Sequence, residues 1–116
     1  LSYLTRTISA VKYEDCNSLT AQNLGCGVSA SNQNSFGPNF NSVGGGYFVL
    51  ERTSTFMKIW FWQRGDPSVP PNVASGGSTV TTDGWPEPGA YFPNTQCNLQ
   101  EFFQEHNIII NLTLCE

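Results

Sequence analysis

Three observations predict an all-β fold in which two sheets pack face to face. Two neighbouring runs, residues 44–53 and 57–64, are dense in aromatic and β-branched side chains and too short for ordinary helices. Charged residues make up only 12% of the chain, against eleven glycines and seven prolines, a composition poor for long helices or coiled coils. Residues 107–115 alternate, so that Ile108, Ile110, Leu112 and Leu114 share one apolar face. At 116 residues the chain is read as one domain spanning 1–116 with a modest core.

Residues 1–13 alternate weakly and suit a strand or an extended arm, and 14–25 read as loop. A short strand over 26–30 is expected to enter a long segment, 31–46, rich in Asn, Ser and Gly. That segment has too few apolar residues for its own core, so Phe36 and Phe40 are expected to pin it to the sandwich. Gly44, Gly45 and Gly46 then permit a positive φ or a close backbone approach. They do not open a phosphate loop, because no helix with the required lysine follows.

The two central runs read as paired antiparallel strands. In the first, Tyr47, Val49 and Glu51 face one way and Phe48, Leu50 and Arg52 the other; in the second, Phe56, Lys58, Trp60 and Trp62 oppose Met57, Ile59 and Phe61. Both faces are largely apolar and need cover on two sides, which predicts a central position between packed layers.

After Arg64 the prolines at 67, 70 and 71 stop any ladder. Residues 85–93 read as an irregular loop with exposed aromatics, where Trp85 suits a sugar-contacting rim because rings stack on the apolar faces of pyranoses. The competing reading has Trp85 and Tyr91 packing the loop down. Asn98 and Glu101 have capping-box spacing, and Leu99, Phe102 and Phe103 follow at helical intervals, which predicts a two-turn helix near 98–105. In the last strand Asn111 and Thr113 lie opposite the apolar face, where an amide needs a partner: a ligand hydroxyl in a groove, or a structural bond. Asn111, Leu112 and Thr113 also form an N-glycosylation sequon, for which a central strand leaves little room.

A net charge of −4, with five scattered Lys and Arg, argues against a nucleic-acid surface. No apolar run is long enough to span a membrane, and Leu1 onward reads as mature sequence without a leader. Cys16, Cys26, Cys97 and Cys115 lack the paired spacing of a zinc site, and His106 does not complete one, so no metal or cofactor is expected. Disulfides in an oxidising, extracellular setting are the better reading. Three connectivities are open; the polar loop between Cys16 and Cys26 favours that pair, leaving Cys97 with Cys115.

Glycoside hydrolysis requires two carboxyls facing one cleft, roughly 5 to 10 Å apart. No Glu-x-Asp-x-x-Glu pattern occurs, and Glu51 is the only carboxylate well inside a predicted strand, where pairing with Lys58 or Arg64 is expected. His106 stands beside no nucleophile motif. The catalytic set is therefore read as absent from the chain.

Four segments in order, 44–53, 58–64, 90–95 and 106–115, closely resemble the fungal branch of glycoside hydrolase family 16, the laminarinase-like endo-β-1,3(4)-glucanases. The resemblance runs from about Cys16 to Cys115 and implies a C-terminal portion of the catalytic domain, a concanavalin A-like β-jelly-roll sandwich with a glucan groove on its concave face. It implies that the nucleophile, the assisting Asp and the acid/base Glu lie on a strand before Leu1. It also matches Asn111 to a groove-facing Asn, with Thr113 beside it.

The expectation is thus a secreted fungal polypeptide, non-catalytic alone, forming part of a β-glucan groove with Asn111, Thr113 and Trp85 as contacts. A partial sandwich exposes edges and apolar faces, so a partner polypeptide supplying the missing strands is expected, joined through a disulfide or not. Two alternatives stand beside this reading: one chain of a two-chain active glucanase, and a lectin-like or immunomodulatory protein that keeps the fold without the chemistry.

Overall fold

The computed structural model describes Leu19 and residues 27–110. The spine forms as its composition dictates: β1 (Gly46–Arg52) and β2 (Phe56–Gln63) pair antiparallel, from Gly46 opposite Gln63 to Arg52 opposite Met57. The turn between them is closed by Thr53, whose N–H donates to the Phe56 carbonyl at 2.9 Å and whose hydroxyl oxygen accepts the Phe56 N–H at 3.1 Å. A third strand, β3 (Ala90–Pro93), pairs with the other edge of β2, so β2 is central in the order β1-β2-β3. Residues 90–93, read from the sequence as part of an irregular loop, are therefore a strand. The prolines at 86, 88 and 93 masked its short alternating pattern.

The entry to β1 uses its glycines in both expected ways. Gly44 and Gly45 adopt φ of 77° and 91°, while a Cβ on Gly46 would lie 2.6 Å from both the Trp62 carbonyl oxygen and a Phe61 ring carbon. Before them, α1 (Gly37–Ser42) occupies part of the long Asn-, Ser- and Gly-rich segment, with Pro38 in its first turn where the missing N–H costs nothing. Phe40 reaches the Phe61 ring at 6.3 Å, whereas Phe36 is 80% exposed and pins nothing. A second short helix, α2 (Pro71–Ala74), likewise opens on proline.

Beyond β3, a 3-10 turn (Asn94–Gln96) leads to α3 (Leu99–Phe102). This helix is one turn, not two. The Asn98 side chain donates to Glu101 Oε2 at 3.3 Å rather than capping the backbone, and only Leu99 is buried while Phe102 is exposed. The strand expected over 107–115 is not formed over its described part: residues 107–110 have no strand pairing, and Ile108 and Ile110 are each 92% exposed. A strand needs a ladder and a covered face, and the described sheet supplies neither there.

The two faces of the sheet differ sharply. Trp60 and Trp62 are 4% and 5% exposed, but Phe48 and Leu50, on the opposite face, are each 59% exposed. On that open face Phe48 stacks on Phe61 with ring centroids 4.6 Å apart. The predicted two-sided apolar spine is present, and among the described residues one side is covered.

Candidate functional site

The covered face carries the chemistry. Register places Tyr47, Val49 and Glu51 opposite Trp62, Trp60 and Lys58, and β3 adds Tyr91 opposite Lys58 and Pro93 opposite Phe56. A spacing of two along a strand sets Trp60 and Trp62 roughly 7 Å apart on one side, close enough for one ring to touch both. That ring is Trp85, edge-on to Trp60 at 5.2 Å and to Trp62 at 5.1 Å. The Trp60 indole N–H donates to the Pro86 carbonyl at 2.8 Å, fastening the loop beneath its own tryptophan. Such edge-to-face pairs contribute about 0.5–1.5 kcal/mol each beyond the area they bury.

A cleft opens where β3 ends. β3 pairs with β2 only as far as Ala90 opposite Ile59, so Trp60 to Trp62 continue past it. Pro86 and Pro88 have no N–H to extend the ladder, and the strap over residues 86–89 leaves a cleft of about 150 Å³ between itself and residues 30–32. Asn32 and Glu87 line it alongside Trp60 and Trp62. Asn32 Oδ1 accepts the Asn34 N–H at 2.8 Å, and Asn34 Nδ2 donates to Gln63 Oε1 at 2.7 Å, which ties this wall to β2.

Glu51 does not form the expected ion pair. Its Oε2 accepts the Thr82 hydroxyl at 3.0 Å, while Lys58 Nζ sits 4.2 Å from the Phe56 ring centroid and 5.8 Å from that of Tyr91. Arg64 donates from Nε to the Gly44 carbonyl at 2.8 Å and from Nη1 to the Tyr47 hydroxyl at 3.2 Å, with its guanidinium 4.9 Å from the Tyr47 centroid. Aromatic faces and main-chain oxygens attract these cations in place of the carboxylate. Asp66, in the turn after β2, is held below the usual carboxylate range by the Ser68 hydroxyl and then the Ser68 N–H. A carboxyl held ionised in this way is unsuited to general-acid work.

Of the residues singled out by sequence, Trp85 lies half-buried at the centre of the cluster, packed on Trp60 and Trp62 and outside the lining of the cleft. Asn111, with its sequon, and Thr113 lie outside the described residues, as do Cys16, Cys26 and Cys115. Cys97 is exposed with a free thiol, and the chain on either side of it, at Thr95 and Asn98, is exposed as well; the Cys115 expected to bridge it lies outside the described residues. Sequence reasoning missed Asn32, Glu87 and the Pro86 carbonyl. The signal was present in the two prolines flanking Glu87, which keep that stretch from continuing β3.

Comparison with known proteins identifies the family and the fold. The family described as "XgeA-like, catalytic GH16 domain" matches residues 2–116. A Schizosaccharomyces pombe protein named "Probable glycosidase" is 38% identical over 93 residues, 80% of this chain and 21% of the relative. An endo-1,3(4)-beta-glucanase of Emericella nidulans is 33% identical over 92 residues, 79% of this chain and 14% of the relative. Laminarinase 16A from Phanerochaete chrysosporium, solved with 6-O-glucosyl-laminaritriose in donor and acceptor sites, superposes with a TM-score of 0.76 at 40% identity, covering 84% of this chain and 34% of that one. The chain thus spans about a fifth or less of these curated relatives and about a third of the laminarinase. Its antiparallel sheet and short helices are part of the laminarinase jelly-roll sandwich. The chain belongs to the XgeA-like catalytic domains of glycoside hydrolase family 16.

Proposed function

We propose that this chain forms a non-catalytic wall of the β-glucan groove in a secreted family 16 glucanase domain, and that polypeptide outside residues 1–116 supplies the second sheet and the reactive carboxylates. One observation carries the reading: the same three strands bury Trp60 and Trp62 on one side and leave Phe48 and Leu50 open on the other. An apolar sheet face left uncovered is the inner face of a sandwich awaiting its second layer. The tryptophan side then lies away from the second layer, where the cleft beside its buried aromatic cluster suits a neutral polysaccharide. The β-glucan held by the laminarinase relative supports that substrate class.

Laminarin tests the reading directly. The purified chain alone is expected to release no reducing sugar from laminarin, and the same chain joined to the rest of a family 16 domain is expected to hydrolyse it. Reducing-sugar release by residues 1–116 alone overturns the non-catalytic assignment. Failure of the completed, folded domain to bind laminarin overturns the groove.

A further inference from the structure

We propose that Asp83 and Gly84 form a self-modification site: the Gly84 main-chain nitrogen attacks the Asp83 side-chain carboxyl, and the resulting succinimide opens to isoaspartate within the loop that carries Trp85. The inference is independent of the β-glucan reading. Of the eleven glycines in the chain, Gly84 alone follows an Asp or Asn. The fold holds it in that place. The Trp85 N–H donates to the Thr82 carbonyl at 3.1 Å, closing a turn whose third residue, Gly84, has φ of 76°. A positive φ at that position of a turn calls for glycine, and a glycine nitrogen carries no side chain to shield it.

The pair stands open to reaction. Asp83 and Gly84 are both exposed, and nothing lies within 4 Å of where a Gly84 Cβ would stand. The turn is closed by its outer residues, so neither the Asp83 carboxyl nor the Gly84 N–H has a hydrogen-bond partner among the described residues. Asp66, the other described aspartate, is the contrast: its Oδ1 accepts the Ser68 N–H at 2.8 Å and the Ser68 hydroxyl at 2.7 Å, and it precedes Pro67, which has no N–H to attack with. The step consumes no outside reagent. The Gly84 nitrogen bonds to Asp83 Cγ and gives up its proton, and the carboxyl hydroxyl leaves with that proton as water. Water then adds back at either ring carbonyl. Addition at Cγ restores aspartate, whereas addition at the main-chain carbonyl leaves Gly84 joined through Cγ, with an extra carbon in the backbone and the α-carboxylate as the side group.

The turn is fastened at both ends. The Thr82 hydroxyl donates to Glu51 Oε2 at 3.0 Å, and Trp85 packs edge-on against Trp60 and Trp62, so an added backbone carbon between these anchors displaces one of them. All three tryptophans of the chain belong to that cluster, and their emission reports the displacement. Incubating the folded chain in water enriched in heavy oxygen is expected to label Asp83 in peptide maps, with isoaspartate identified there by electron-transfer fragmentation and a parallel change in tryptophan emission. Asp83→Glu, which must close a larger ring, is expected to slow labelling and emission change at least about tenfold with an unchanged melting temperature. Asp83→Asn, which loses ammonia more readily than a carboxyl loses water, is expected to form isoaspartate faster. An unlabelled Asp83 in the folded chain, label at Asp66 equal to that at Asp83, or label that appears at Asp83 only in urea each overturns the site. Isoaspartate at Asp83 with unaltered emission overturns its reach into the tryptophan cluster.

Discussion

Replacing Trp60 with Ala is expected to lower the unfolding free energy by about 3–5 kcal/mol, the range for truncating a buried Trp or Phe. The site shows why the loss falls there. The ring is 4% exposed, meets Trp85 edge-on, and makes the only side-chain hydrogen bond to the 86–89 strap among the described residues. Since whole domains are stable by about 5–15 kcal/mol, a truncation of this size threatens folding itself. Trp60→Phe separates the components, because it keeps most of the ring and removes the N–H. It is expected to lose about 1 kcal/mol for the hydrogen bond plus a small packing deficit. Urea midpoints followed by backbone circular dichroism measure both, and equal losses in the two variants would show that the strap bond, not burial, dominates.

Gly46→Ala is expected to cost about 1–3 kcal/mol through overpacking. The added Cβ would sit 2.6 Å from the Trp62 carbonyl oxygen, a main-chain atom of the paired strand that cannot rotate away, and equally close to the Phe61 ring. Gly65 provides the contrast. It has φ of 81° with nothing within 4 Å of a built Cβ, so Gly65→Ala meets only the backbone penalty, about 1–2 kcal/mol. Thermal melting is expected to rank Gly46→Ala below Gly65→Ala; the reverse order would mean that β1 and β2 yield at that crossing without loss of pairing.

The legible parts of this fold were those decided by local pattern. Alternation set the facing of residues 47–52 against 57–62, and the glycine run announced both the left-handed turn and the close strand crossing. What was not legible depended on distant partners. The run at 107–110 has strong strand character, but strand formation needs an adjacent ladder, and the described sheet leaves Ile108 to Ile110 exposed. Residues 90–93 look irregular because of proline, yet β2 offers them a free edge and they pair.

The candidate site divides in the same way. Trp85 was visible as an aromatic in a polar loop, but its meeting with Trp60 and Trp62 is a long-range contact that no spacing rule supplies. Asn32 and Glu87 lie 55 residues apart in sequence and share a cleft only because the strap and the 30–32 segment both reach the uncovered end of β2. The expected pairing of Glu51 failed for a related reason: Phe56, Tyr91 and Tyr47 attract the two cations, and Thr82 supplies the carboxylate with a donor.

The most direct measurement is hydrophobic-dye binding to the chain before and after completion by the rest of a family 16 domain. Because Phe48 and Leu50 are each 59% exposed, the chain alone is expected to bind the dye strongly, and a Phe48→Ser, Leu50→Ser double variant to lose most of that signal. Completion is expected to abolish the signal as the second sheet covers the face. Dye binding that persists in the completed, folded domain, or a lone chain that binds none while remaining folded and monomeric, would contradict an inner sandwich face.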